Sequence, residues 1–460
     1  MTFGRFRPFV FSCLIFILLL TGCVGGQAKV GSSPPTSDKN FANVVIPTYT
    51  PTSQSEFTND KNPTSSPSRR IENEGLTSPL LLAHYMPWYQ TPAIRGNWGW
   101  HWTMNHFNPD QENENGRKEI ASNFYPITGP YDSSDETLLE YQVLLMKLSG
   151  IDGVIIDWYG IEDFWDYGLN NESTQKLIEY VKKAGLSFAI CYEDQTIKNM
   201  IERGHLGSDQ GLTHGQEVMT FLDENWFSDA AYLKTNDQPI LYVFGNPSYF
   251  NSASDWQALF SNLENEPILI TEDQPIVPAA NSSYPWPPMQ ASVNGVLSES
   301  ALDTYLTNFY AKAQEWDYLT ASAFPGFDDI YEEAGVGPGR GFLDDQDGKT
   351  FRQTLQTAIE NNPQVIQLVT WNDYGEGTNI EPTIEYGNRY LEILQEMRTT
   401  INDSEFAYTA EDLDLPLTLF NLRNQYKGDI QINADLDLVF QAIIDGKLDV
   451  ARDILAKYSE

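Results

Sequence analysis

The sequence predicts a (β/α)8 barrel of the TIM-barrel class, with a short helical C-terminal appendage. Three observations carry that prediction. From residue 79 to 400, short apolar runs rich in Val, Ile, Leu and Tyr alternate with amphipathic stretches of helical period. Eight such runs are present, the number a barrel needs. Polar and aromatic side chains collect where the runs end, and a barrel gathers its strand C-termini at one face. A doubly wound open sheet is the competing architecture, but no Gly-rich nucleotide loop follows the first run.

In chain order, residues 1–23 read as an export signal. Arg5 and Arg7 precede an apolar run, Phe9 to Leu20, that is too short for a comfortable bilayer span. Leu20-Thr21-Gly22-Cys23 resembles the bacterial lipobox, which implies cleavage before Cys23 and a lipid on its sulfur. The expected location is the cell membrane or outer surface, lipid-anchored, with the domain facing the periplasm or exterior. Residues 24–76 are rich in Ser, Thr, Pro and Asn, too poor in apolar residues to fold alone, and read as a disordered tether.

Residues 77–400 are the expected barrel. Its strands are read at Leu80–Trp88, Gly153–Trp158, Ser187–Tyr192, Pro239–Phe244, Pro267–Ile270, Val293–Leu297, Tyr318–Ala323 and Val365–Trp371. Amphipathic helices are read at Glu136–Leu148, Ser173–Ala184, Ala301–Trp316 and Thr350–Glu360. Apolar strands alternating with helices imply a parallel sheet covered on its outer face. Residues 401–460 form an extension in which 436–444 and 448–458 carry helical apolar spacing.

Composition narrows the function. The chain has 64 acidic and 28 basic side chains and a formal net charge of −36, which argues against a nucleic-acid partner. Aromatic residues make up 13%, with 11 Trp and 24 Tyr, enough both to fill a core and to stack on something flat and uncharged such as a sugar ring. Of three Cys, Cys13 leaves with the signal, Cys23 takes the lipid, and Cys191 follows an apolar run as a small buried hydrophobe. With five His and no cluster of them, no metal site and no cofactor are expected, and the chain is expected to act as a monomer. Asp345-Gln346-Asp347-Gly348 lacks the pattern of a calcium loop and reads as a turn into the next helix.

The strand ends carry Trp88 and Tyr89, Asp157 and Trp158, Glu193 and Asp194, Glu272 and Asp273, Glu299, and Asp373 with Glu376. Any one acid can simply cap the next helix; together they point to a pocket. The most informative segment is Trp371-Asn372-Asp373-Tyr374-Gly375-Glu376-Gly377-Thr378-Asn379-Ile380-Glu381-Pro382. Two carboxylates three residues apart face opposite ways on a regular strand, but Gly375 and Gly377 let the chain bend and turn both into one cleft. Paired carboxyls, one protonated and one ionised, are what glycoside hydrolysis needs.

That segment resembles the end-of-barrel motif of glycoside hydrolase families 71 and 99. Five further pieces are similar and in the same order. They are His84-Tyr85-Met86-Pro87-Trp88-Tyr89, His101-Trp102, Tyr125-Pro126 through Gly129-Pro130-Tyr131-Asp132-Ser133-Ser134-Asp135, Ile155-Ile156-Asp157-Trp158-Tyr159, and Phe324-Pro325-Gly326-Phe327-Asp328-Asp329. The resemblance implies a (β/α)8 barrel and an α-glycosidase, often endo-acting on an oligosaccharide or polysaccharide. In family 99 one glutamate of the motif deprotonates the sugar 2-hydroxyl to give an anhydro-sugar, and the other serves as acid then base. Glu376 matches the second; Asp373 stands where the first would be. Family 71 shares Trp-Asn-Asp-Tyr-Gly-Glu but continues with Ser-His rather than Gly-Thr, so α-mannan and α-glucan both stay open. The resemblance gives Glu376 as acid/base and Asp373 as base or assisting carboxylate. Tyr85, Trp88, His101, Trp102, Asp157, Trp158, Tyr192, Glu193 and Asn372 are the candidate substrate contacts. Two alternatives remain: a non-catalytic glycan-binding lipoprotein on the same barrel, and an exported barrel enzyme of another kind, such as a deacetylase, which wants a His/Asp metal cluster.

Overall fold

The structure is a computed structural model and describes residues 78–459 apart from 246 and 403–405. The signal (1–23, with Cys23) and tether (24–76) lie outside the described residues. Eight parallel strands form the sheet: β1 (Leu80–Tyr85), β2 (Gly153–Trp158), β3 (Ser187–Tyr192), β4 (Gln238–Val243), β5 (Ile268–Glu272), β6 (Ser282–Tyr284), β7 (Thr320–Ala323) and β8 (Val365–Leu368). Their lateral order is β6-β5-β4-β3-β2-β1-β8-β7, so β1 lies between β2 and β8 and the sheet curls into a nearly closed barrel. The ends of that order, β6 and β7, are not paired through backbone ladders; Ser282 Oγ donates to the Tyr318 carbonyl across the gap (2.6 Å).

The helices that cover the barrel form for ordinary reasons. Helix α1 (Glu136–Ser149) starts where Asp135 accepts the Thr137 N–H and stops at Gly150, left-handed at φ 84°. It is followed by α2 (Tyr167–Lys183), α3 (Gln195–Glu202), α4 (Gly211–Leu222) and α5 (Ala253–Phe260). Then come α6 (Glu299–Ala313), α7 (Lys349–Glu360) and α8 (Arg389–Asn402). Three C-terminal helices, α9 (Asp414–Gln425), α10 (Ile430–Ile444) and α11 (Leu448–Ala456), complete the chain. Arg423 of α9 grips Glu140 of α1 through Nε (2.9 Å) and Nη2 (2.8 Å), so the appendage docks on the barrel's helical layer. The sequence pattern showed α10 and α11 but missed α9.

Three strand readings need correction. The sixth strand is Ser282–Tyr284, not Val293–Leu297. Three polar-rich residues give no apolar run to find, whereas Val293 and Val296 form a small turn with their side chains 71% and 50% exposed. Glu299 consequently ends no strand; it opens α6 behind its cap Ser298 and points to solvent. The first and last strands are also shorter than read, ending at Tyr85 and Leu368.

Candidate active site

Alternation along the strands decides what faces the barrel axis. The register pairs Asp157 with Cys191 and Trp158 with Tyr192, so each pair shares a face. His84 points inward, where its ring meets Trp286 edge-on at 5.0 Å. Its neighbour Tyr85 points the other way and donates its hydroxyl to Gln142 of α1 (2.6 Å). The inward side is a packed core at depth: the Tyr242 hydroxyl meets Thr320 Oγ1 (3.0 Å), and Tyr284 donates to the Val243 carbonyl (2.9 Å). Above it, the strand ends present acids.

The segment after β8 crosses that upper face. Trp371 N–H donates to the His84 carbonyl (2.7 Å), and the chain folds back so that Thr370 N–H reaches the Thr378 carbonyl (2.9 Å). Between these anchors, Thr370 Oγ1 accepts the Asp373 N–H (2.8 Å), and Asp373 Oδ1 accepts the Glu376 N–H (2.9 Å). Gly377 is left-handed at φ 64°, and a Cβ there would stand 2.5 Å from the Asp328 carbonyl oxygen. The loop carrying Asp328 clamps the turn from outside: Asp328 N–H donates to the Glu376 carbonyl (3.0 Å) and Ile330 N–H to that of Gly375 (3.1 Å). Asp373 and Glu376 are thereby held on one tight turn, both nearly buried, at 5% and 4% exposure.

Electrostatics set the two apart. Burial, then the neighbouring Glu376 charge, push Asp373 up to about 8. Burial also raises Glu376, but the Arg340 guanidinium, 3.6 Å from its Oε1, pulls it back. Glu376 Oε2 has no hydrogen-bond partner, nor has the nearby Trp286 Nε1. Below them Asp157 has both oxygens buried and unpartnered; burial and then the Glu193 charge drive it far above the usual range. Burial lifts Glu193 to about 7. Glu272, whose Oε2 accepts the Gly245 N–H (2.8 Å), is lifted by burial to about 8. Burial holds His84 down at about 3, so its imidazole, with neither nitrogen partnered, is neutral. Five acids with raised affinity for protons around one cleft are the signature of a proton-transfer site.

An aromatic wall borders the acids. Trp88 stacks on His101 (4.1 Å, 5° between planes) and meets Tyr159 at 6.1 Å. The His101 ring reaches Asp166 at 3.6 Å. Of the residues read from sequence, the fold therefore gathers Asp373, Glu376, Asp157, Glu193, Trp88 and His101 about one cleft.

The other five sit elsewhere. Tyr85, Trp158 and Tyr192 face the helical layer: Trp158 Nε1 donates to Asn171 of α2 (3.1 Å) and its ring packs on Tyr192, Phe221 and Trp226. Trp102 is fully buried, donating to the Tyr131 carbonyl (2.8 Å) and lying on Tyr89. Asn372 uses its whole amide on the protein, accepting the Met86 N–H (2.8 Å) and donating to the Met86 carbonyl (3.0 Å) and Tyr131 hydroxyl (3.1 Å). These five brace the site from behind. The sequence reading placed them by type and by nearness to a strand end, without the one-residue parity that separates inside from outside.

Four neighbours of the acids escaped the sequence reading as contacts: His84, Trp286, Tyr331 and Arg340. Strand parity from Asp157 through the register would have found His84. Tyr331, whose hydroxyl is 3.5 Å from Glu376 Oε1, follows the Asp328-Asp329 motif by two residues. Arg340 arrives only because Asp329 accepts the N–H groups of Tyr331 (3.0 Å), Arg340 (2.7 Å) and Gly341 (3.2 Å), a loop closure no local pattern announces. Among the described residues no group of three or more His, Cys, Asp or Glu side chains is arranged to hold a metal ion.

Comparison with known proteins matches this region. The model of glycosyl hydrolase family 99 matches residues 77–397. A glycoprotein endo-alpha-1,2-mannosidase-like protein of Mus musculus is 23% identical over 335 residues, covering 66% of this chain and 69% of its own. The glycoprotein endo-alpha-1,2-mannosidase of Xenopus laevis is 22% identical, covering 65% and 69%. Among solved structures, a family 99 endo-alpha-mannosidase from Bacteroides thetaiotaomicron superposes with a TM-score of 0.52 at 18% identity. It covers 71% of this chain and 99% of its own, a likeness of fold.

Proposed function

The chain belongs to glycosyl hydrolase family 99, a glycoside hydrolase, and from that premise we propose that it cleaves α-linked mannose glycans internally, using Asp373 and Glu376. The observation that carries this reading is the pair of carboxyls on one buried turn beneath an aromatic wall. The names of the mouse and frog relatives favour α-mannan over α-glucan as substrate.

Glu376 is the acid/base in this reading. Its Oε2 is buried without a hydrogen-bond partner, whereas Asp373 Oδ1 is already engaged by the Glu376 N–H. Asp373 then works with its other oxygen on the sugar, as base or assisting carboxylate. In the ligand-free site the proton shared by the pair is drawn to Asp373, because Arg340 favours an ionised Glu376. Catalysis in this order therefore requires the proton to reach Glu376 once the sugar is bound, and a hydroxyl donated to Asp373 supplies the drive by favouring its ionised form. Trp88, His101 and Tyr159 offer apolar faces with polar edges suited to a pyranose. The signal-like segment at residues 1–23 and its Leu20-Thr21-Gly22-Cys23 ending support a location outside the cytoplasm with a lipid tether at Cys23.

The test is product analysis on a panel of α-mannans and α-glucans. Short manno-oligosaccharides released by the wild type support the reading; release from α-glucan alone moves the substrate, and no release from any polymer rejects the reading. A mannoside with an activated aryl leaving group separates the roles. Glu376→Gln retaining that activity while losing the natural substrate marks Glu376 as the acid. The same pattern in Asp373→Asn instead reverses the two roles.

A further inference from the structure

We propose that Asp329 is a positioning residue for the acid step, a role that rests on the reading of Glu376 as the acid: its carboxylate folds a loop so that Arg340 and Tyr331 stand against Glu376 and steady the charge left when the proton is given up. Asp329 is not on the turn that carries the acids. It opens an excursion of the chain, residues 329–341, between two short antiparallel strands in which Asp328 lies opposite Phe342. Packing anchors the outgoing limb: Ile330 and Ala334 are buried with Met104 and Ala121. The return limb, Gly335-Val336-Gly337-Pro338-Gly339-Arg340, is exposed along its whole length, so burial does not fix where Arg340 goes.

Polar contacts fix it instead. Asp329 Oδ1 accepts the Tyr331 N–H (3.0 Å), and Oδ2 accepts the N–H groups of Arg340 (2.7 Å) and Gly341 (3.2 Å). One carboxylate thus ties both limbs with charge-assisted bonds. The two side chains so placed meet the same oxygen of Glu376: Arg340 Nη1 is 3.6 Å from Oε1 and the Tyr331 hydroxyl 3.5 Å. The guanidinium also lies over the Tyr331 ring, 5.7 Å from its centre. Glu376 Oε2 is outside both contacts.

A cation beside an acid eases the negative charge that proton donation creates. The other charged groups that face Glu376 work against it. Asp373 on the same turn, Glu272 at the end of β5 and Asp329 itself each repel its carboxylate. Trp286, after β6, faces it as a neutral donor. Asp329 therefore acts on Glu376 with two opposite signs. Its own charge holds the Glu376 proton on, and its grip on Arg340 helps that proton off. Arg340 outweighs Asp329 at Glu376, so the grip decides.

Carboxyl-carbon NMR of the full chain, isotope-labelled at its glutamate carboxyls, reads the effect without any substrate. The signal lost in Glu376→Gln identifies Glu376. Its titration midpoint is then followed in the wild type, Arg340→Gln, Asp329→Asn and the double variant, with thermal midpoints as the control for folding. An amide has one acceptor oxygen and cannot close both limbs, so the midpoint should rise in Asp329→Asn as it does in Arg340→Gln. In the Arg340→Gln background, Asp329→Asn should add no further rise. An unchanged midpoint in Arg340→Gln overturns the role, and so does a midpoint that stays or falls in Asp329→Asn, a fall being what loss of the aspartate's own charge does by itself. Should Asp329→Asn not fold, Asp329→Glu takes its place, keeping the charge while moving the acceptor oxygens by a methylene: a rise supports the role and none overturns it. In turnover, the loss of kcat/KM in Arg340→Gln and Asp329→Asn should be about fivefold larger on an α-manno-oligosaccharide than on a mannoside with an activated aryl leaving group, which needs less help from an acid. An equal loss on the two substrates overturns the role. Should the wild type cleave no glycan, the functional reading fails by itself, and the NMR titration still decides whether Asp329 sets Arg340 against Glu376.

Discussion

Two ends of one short segment hold buried carboxyls under opposite terms. At the far end Glu381 accepts from Gln142 Nε2 (2.6 Å), the Tyr131 hydroxyl (2.7 Å) and the Tyr374 hydroxyl (2.9 Å). Both of its oxygens are engaged, and the side chain is 1% exposed. At the near end Glu376 has a distant Tyr331, an arginine at 3.6 Å and one oxygen with no partner. Burial raises the affinity of both for protons, to about 7 in Glu381. A raised pKa therefore does not separate scaffold from chemistry here; the tally of satisfied lone pairs does.

Substitution turns this contrast into measurements. The largest expected effect is at the unsatisfied end: Glu376→Gln lowers kcat on natural glycan roughly a thousandfold while leaving the thermal midpoint unchanged or raised. Steady-state kinetics beside a melting curve read both, and a variant that keeps full activity refutes the acid/base role. At the satisfied end, Glu381→Gln leaves one amide oxygen where two carboxyl oxygens accept three donors, so at least one donor loses its acceptor and unfolding free energy falls by about 1–3 kcal/mol in denaturant titration. If Glu381→Gln instead abolishes turnover in a protein of wild-type stability, the division of labour is wrong.

Stability should also fall as pH rises. The unfolded chain releases these carboxyl protons near pH 4, whereas the folded chain holds them to about 8 at Asp373 and Glu272 and about 7 at Glu193 and Glu381. Between those limits the native state binds more protons than the unfolded one, so their stabilising contribution is full below pH 4 and lost through pH 7 to 8. Glu272→Gln deletes one of these titrations, and its melting temperature should decline less from pH 5 to pH 8 than that of the wild type. A parallel decline in both proteins counts against the raised pKa. The smallest effect expected is from Tyr85→Phe, about 1 kcal/mol of stability through the lost Gln142 bond with KM unchanged; a raised KM would return Tyr85 to the pocket.

The same contrast explains what the sequence disclosed. Runs such as Gly153–Trp158 and Ser187–Tyr192 coincide with β2 and β3 because central parallel strands are apolar on both faces. Ser282–Tyr284 was invisible because a three-residue strand needs only backbone pairing on one side and polar side chains fit there. The acid pair was legible because two glycines and two carboxyls in five residues make an unusual turn. Tyr85, Trp158 and Tyr192 were misplaced by parity: each adjoins a residue that does face inward, His84, Asp157 or Cys191. Arg340 was hidden because its position depends on Asp329 folding a loop back over the cleft.

The gap between β6 and β7 has a consequence of its own. Seven neighbouring strand pairs share backbone ladders, and this one is bridged by a serine hydroxyl. Amide protons along that seam lack the partner that slows their escape, so deuterium should enter the wall there first. Heat or proteases acting on the folded chain would find the same weak stave, on the side of the barrel away from β2 and β3.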